Sequence, residues 1–205
     1  MFVTPSSPLP YTLTIGGAAN ASECADVLAA TGAAAWLNLL PSPSAAEYPR
    51  EYLEARGVST RAVTVVAPHG LTLEVAQSVL AAVKELPPGP LVVQCATGNR
   101  ASAVLALLVG EAQGWEPSAV LQWAAQEKLP FLGSQALCNW VTLALRALRS
   151  GDGADAGGGG TAAAPAPALA AHSSSSFILR HLCYRDSYHF TNLGDSARGE
   201  AVLSE

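Results

Sequence analysis

From its first residues to about Ser150 the chain alternates short apolar runs of strand length with longer stretches in which apolar residues return every three or four positions. The pattern predicts strands at "YTLTI", "AAWLNLL", "STRAVTVV" and "PLVVQC". It predicts helices at "SECADVLAAT", "AAEYPREYLEAR" and "TLEVAQSVLAAVKEL", and three more in succession at "RASAVLALLVGEAQ", "EPSAVLQWAAQEK" and "SQALCNWVTLALRALR". Ser22, Thr72, Ser118 and Ser134 stand where helix N-caps are wanted, and Pro130 stops the fifth helix. Strands that alternate with helices argue for an α/β fold, a mainly parallel sheet flanked by helices on both faces. The unbroken apolar "LVV" suits a central strand of such a sheet.

After this regular part the pattern is lost. Residues 151–176 are rich in Gly, Ala, Pro and Ser without any period, the composition of a flexible linker. Residues 177–205 show short β-like runs separated by "RDS" and "GDSARG" turn chemistry, with too few apolar residues for a core of their own. The expected organisation is one cysteine-loop domain over 1–150, a linker over 151–176, and the opening of a second domain over 177–205.

Composition narrows the function classes. The chain has 205 residues, half of them hydrophobic, and a formal net charge of -5 with no basic cluster, so nucleic acid and anionic membranes are not expected partners. No apolar run is long enough to span a bilayer, and "MFVTPSSPLPYTLTIGG" lacks a secretory h-region and the arginines of a transit peptide. The cytosol is the default compartment, with a mitochondrion or plastid left open. Cys24, Cys95, Cys138 and Cys183 lie far apart, without the spacing of a zinc site or a disulfide framework, which points to thiols in a reducing compartment and to no metal or other cofactor.

Candidate chemistry concentrates in "QCATGNRAS", where Cys95 ends a strand and Arg100 begins a helix. A helix entered directly from a strand presents free N–H groups and the positive end of its dipole to the turn, a setting that favours an anion. A thiolate is favoured there for the same reason, which makes Cys95 a candidate nucleophile. Thr97, Gly98 and Asn99 are small or turn-tolerant; with Ala96 and Arg100 they can curl their amides inward as an anion nest, and Ser102 lies close behind. Arg100 can clamp a tetrahedral oxyanion through two hydrogen bonds. The competing reading is a buried core thiol with a surface arginine, but an arginine in a first helical turn is electrostatically unfavourable unless an anion is near. Trp115, Trp123, Trp140, Cys24 and Cys138 read as core residues, and His69 as a solvated loop residue that can border the site.

This loop, with the upstream segments "GGAANASECADVLAATGAAAWLNLLPS" and "GVSTRAVTVVAPHGLTLEVAQSVLAAVKELPPGPLVV", resembles the beta-lactamase-hydrolase-like, phosphatase-like domain, which is related to cysteine phosphatases and rhodaneses. The resemblance covers roughly residues 10 to 130. It implies that Cys95 is the nucleophile, that the amides of Ala96 to Arg100 form the cradle, and that Arg100 binds the anion. Dual-specificity phosphatases have His before the cysteine, five residues between Cys and Arg, and Ser or Thr directly after Arg; here stand Gln94, four residues and Ala101. Such phosphatases also use an upstream aspartate as general acid, and no Asp lies between Asp26 and Cys95; the corresponding loop offers His69 and Glu74. The shorter ring is similar to that of rhodaneses. "FILRHLCYRDSYHFTNLGDSARGEAVL" resembles the first strands of persulfide dioxygenases, and no iron ligand carries over; His181 and His189 match no ligand motif. Together these resemblances imply sulfane-sulfur transfer from thiosulfate or a persulfide to a thiol such as glutathione. The alternatives are hydrolysis of a phosphate ester through a phosphocysteine, and an anion-binding or regulatory module without turnover.

Overall fold

The structure is a computed structural model and describes residues 1–151. Its elements are β1 (Phe2–Val3), β2 (Leu13–Gly16), α1 (Ala21–Thr31), β3 (Ala35–Asn38), α2 (Arg50–Glu54), β4 (Ser59–Ala62), α3 (Leu73–Lys84), β5 (Leu91–Gln94), α4 (Asn99–Gln113), α5 (Pro117–Gln126), a 3-10 turn (Pro130–Gly133) and α6 (Gln135–Gly151). The expected linker and second-domain start lie outside the described residues.

The five strands form one sheet in the order β1-β2-β5-β3-β4, in which β2, β5, β3 and β4 run parallel and β1 pairs antiparallel with β2. The expected α/β architecture is therefore what the chain adopts. Successive residues of a strand face opposite sides. On β5, Leu91 and Val93 point into the larger core, with Leu37, Leu105 and Phe131, whereas Val92 joins the smaller one with Trp36, Cys24 and Leu53. Helices thus cover both faces. The all-apolar "LVV" has a partner for every side chain, as a central strand requires. α4 is the central helix of the larger layer, with Ala101 to Gly110 all buried.

Several boundaries differ from the pattern's expectation, each for a local reason. The helix expected over 45–56 shrinks to Arg50–Glu54, because Pro49 disfavours helical backbone at Tyr48 and sits itself at the N-cap. The strand expected over 59–66 leaves regular pairing at Ala62, although Val63 and Val65 still donate to Asn38 and Leu39 carbonyls at 2.9 and 3.2 Å. Asn20, not Ser22, caps α1, and Glu23 completes a reciprocal capping box. Thr72 caps α3 as expected, while α5 starts from Glu116 with Pro117 in its first turn and Ser118 already inside. β1 has no signature of its own. Phe2 packs where Gly16 has no side chain, since a Cβ there would fall 2.1 Å from the ring, and it meets Trp36 edge-on at 5.8 Å.

Candidate active site

Parallel strands put their C-terminal ends on one edge of the sheet, so the turns leaving β2, β3, β4 and β5 gather there. Cys95 follows β5 directly, its N–H bonded to the Gly16 carbonyl at 3.0 Å. The next residues turn tightly into α4. Gly98 makes this possible by taking the left-handed conformation, φ +92°, at the N-cap of the helix. Its own N–H then points back and donates to Cys95 Sγ at 3.1 Å. No side chain caps α4, unlike α1.

A second glycine closes the turn from the other side. Gly17 bridges to Thr97, and the Ala18 N–H donates to the Ala96 carbonyl at 3.1 Å. A Cβ on Gly17 would lie 2.9 Å from that carbonyl oxygen, so the two turns can touch only because Gly17 has none. Gln94, fully buried, supplies the third support. Its Oε1 accepts from Trp36 Nε1 at 2.7 Å and its Nε2 donates to the Glu47 carbonyl, which also accepts the Ala19 N–H at 3.1 Å. One carbonyl therefore joins the turns after β2 and β3 to the residue before Cys95.

The structure brings Cys95, Ala96, Thr97, Gly98, Asn99 and Arg100 into this single turn, with Ala96, Thr97 and Asn99 exposed. Arg100 is half-buried and donates from Nη1 to the Val65 carbonyl at 2.5 Å, on the stretch leaving β4. Ser102 lies deeper in α4 and is fully buried; its hydroxyl donates to the Asn99 carbonyl at 2.8 Å and accepts the Phe131 N–H at 3.1 Å, tying α4 to the 3-10 turn. Cys95 is itself fully buried.

The stretch 63–72 is held at both ends, by Arg100 at Val65 and by Trp140 Nε1, which donates to the Thr72 carbonyl at 2.8 Å. His69 is exposed on the turn between these anchors. Glu74 offers no proton at neutral pH, because hydrogen bonds from the Thr72 hydroxyl and from its own backbone amide hold its carboxyl below the usual carboxylate range. The sequence marks Gln94 only as the residue standing where dual-specificity phosphatases have His, and it does not mark Gly17 or the Glu47 carbonyl. A glutamine at the end of the apolar run "LVVQC" and the adjacent pair Gly16–Gly17 were the available signals.

A thiol at the end of a parallel strand, in a glycine-curled turn with an arginine in the first turn of the following helix, within this sheet order, is the arrangement of a cysteine-phosphatase-like fold. Solved structures bear out that class. A candidate phosphatase (DUF442) from Shewanella putrefaciens CN-32 matches with a TM-score of 0.54 at 18% identity, over 71% of this chain and 92% of that one. The core catalytic domain of the PP-IP phosphatase SIW14 from S. cerevisiae, in complex with citrate, matches with a TM-score of 0.53 at 11% identity, over 68% of this chain and 87% of that one. PTPMT1 in complex with PI(5)P matches with a TM-score of 0.54 at 12% identity, over 68% and 94%. The likeness is one of fold. No protein-family model matches the sequence, and none of the curated proteins does.

Proposed function

We propose that the domain is a phosphatase-type hydrolase that uses Cys95 as nucleophile and Arg100 as anion clamp. The observation that carries this reading is the Gly98 N–H aimed at Cys95 Sγ at 3.1 Å, in a turn that leads straight into Arg100. An amide donor aimed at sulfur suits a thiolate, and the uncapped start of α4 suits the oxyanion that the thiolate would attack. The likeness of the fold to solved proteins named as phosphatases supports a phosphate ester as substrate.

In this reading Arg100 exchanges the Val65 carbonyl for two phosphate oxygens. The thiolate attacks phosphorus, the S–P bond forms, the P–O bond to the leaving group breaks, and the leaving oxygen takes a proton. With Glu74 ionised, His69 is the side chain of the 63–72 stretch that can give it. Water then attacks phosphorus and passes a proton back to His69, the S–P bond breaks, inorganic phosphate leaves and the thiolate is restored. Ala96 to Arg100 supply the amides that hold the equatorial oxygens.

Transfer of sulfane sulfur is the second reading, favoured by the absence of any Asp between Asp26 and Cys95. There the thiolate takes the outer sulfur of thiosulfate, sulfite departs without needing a proton, and the Cys95 persulfide passes its sulfur to a thiol such as glutathione. Intact mass separates the two. Steady-state release of phosphate from p-nitrophenyl phosphate, lost in Cys95→Ser, is the expected result. A cyanide-sensitive gain of one sulfur after thiosulfate, without phosphate release, would replace hydrolysis by transfer. Neither activity would leave an anion-binding module.

A further inference from the structure

The four turns that surround Cys95, and the first helical turns they enter, carry an unusual balance of charge. Neighbouring strands lie about 4.8 Å apart, so these turns fall within about 15 Å of one another. They contain four carboxylates, Glu23, Glu47, Glu51 and Glu74, against two guanidiniums, Arg50 and Arg100. Arg50 is already bound, with Nε 2.7 Å from Glu54 Oε1. Two of the carboxylates are held as anions by hydrogen bonds. The Ser44 backbone amide and hydroxyl hold Glu47 below the usual carboxylate range, and Thr72 does the same for Glu74. Many of the remaining residues are small or apolar, Ala18, Ala45, Ala46, Ala67, Pro68 and Ala96 among them, beside the polar Asn20, Thr64, Thr97 and Asn99 and one histidine, His69. The segment 127–134, which reaches the start of α4 through Phe131, brings Glu127 and Lys128, which offset each other.

Besides Arg100, the turns leaving the four parallel strands carry these carboxylates, the ion-paired Arg50 and one histidine, His69, so Arg100 is the arginine of the Cys95 turn itself. We infer that the site takes a single phosphoryl group on a carrier with no further negative charge, and rejects multiply phosphorylated molecules. The inference rests on the hydrolase reading above and names its substrate class. A polyanion needs several Lys or Arg side chains spread around the cradle to neutralise its outlying phosphates. Here those phosphates would meet carboxylates on the turns around Cys95 instead.

The test uses the full chain and reads protection of Cys95 from iodoacetamide, with inorganic phosphate and inositol hexakisphosphate as probes, beside hydrolysis of p-nitrophenyl phosphate. Inositol hexakisphosphate is expected to protect no better than phosphate, to within about tenfold, although it carries far more charge. Glu51→Lys with Glu74→Lys should lower its half-protecting concentration by about tenfold or more while leaving that of phosphate nearly unchanged. Protection of the unaltered protein by inositol hexakisphosphate at a hundredth of the phosphate concentration would overturn the inference, and if p-nitrophenyl phosphate is still hydrolysed the hydrolase reading survives. Failure of both anions to protect Cys95 would sink the two together.

Discussion

The turn after β2 and the turn after β5 are neighbours built on the same plan, a parallel strand feeding a helix with a buried cysteine close by, yet they treat that cysteine in opposite ways. After β2, Asn20 and Glu23 consume the free amides of α1 in a capping box, and Cys24 Sγ donates to the Ala19 carbonyl at 3.9 Å. After β5, no side chain caps α4, and Cys95 Sγ accepts from the Gly98 N–H at 3.1 Å. Both residues are fully buried. Burial alone therefore does not separate the two thiols; the direction of the hydrogen bond at sulfur does. A carbonyl acceptor favours the protonated thiol, and burial, reinforced by Glu23, pushes the Cys24 thiol up to about 11.

The contrast is broken most severely by exchanging the two sulfurs for oxygen in turn. Cys95→Ser should cut phosphate release by about three orders of magnitude or more, because a serine hydroxyl in that turn has no base to activate it. Cys24→Ser should leave the rate within about twofold, since Cys24 touches no part of the reaction. Equal losses in steady-state assays would abolish the distinction.

Labelling of the native protein sharpens it. With its thiol near 11, Cys24 has only about one molecule in ten thousand as thiolate at pH 7, so it should alkylate about a hundredfold or more slowly than Cys95. Peptide mapping by mass spectrometry reads both sites in one sample. The sign of the pH effect follows. The folded Cys24 titrates above its ordinary value of 9.0, so its contribution to stability is complete below about pH 9 and is lost as pH rises through about 11. Denaturation midpoints should fall more steeply across that window in the unaltered chain than in Cys24→Ala.

Arg100→Lys tests the open turn alone. An ammonium cannot reproduce the planar fork, and the lost charge-assisted hydrogen bond, about 1.5–3 kcal/mol, should lower kcat/KM about 10- to 150-fold. An unchanged kcat/KM would leave Arg100 with only its bond to Val65. The smallest effect belongs to the closed turn. Asn20→Ala should cost about 1 kcal/mol in urea unfolding and leave turnover unaltered, because the cap serves α1 and not the site.

Much of this arrangement is legible in the chain alone, and the reason is locality. Whether a stretch is strand or helix depends on the period of its apolar residues, so "LVV" and "RASAVLALLVGEAQ" announce a central strand and a buried helix before any neighbour is known. Cys95, Gly98 and Arg100 fall within six consecutive residues, and a turn between such elements has few conformations to choose from. Where a cap or a break depends on one nearby residue the reading shifts slightly: Asn20 displaced Ser22, and Pro49 shortened α2.

What only the tertiary structure decided involves partners distant in sequence. The pairing of Phe2 with Gly16 and Trp36, the junction of Gln94 with Trp36 and Glu47, and the hold of Arg100 on Val65 each join residues that no period or spacing relates. Ser102 shows the same limit. It lies two positions from Arg100, but its hydroxyl is engaged by Phe131, 29 residues away. The opposite polarity of the two thiols is of this kind as well. Whether a sulfur meets an N–H or a C=O depends on which side of a peptide plane faces it, and at Cys95 the left-handed Gly98 turns its own N–H toward Sγ.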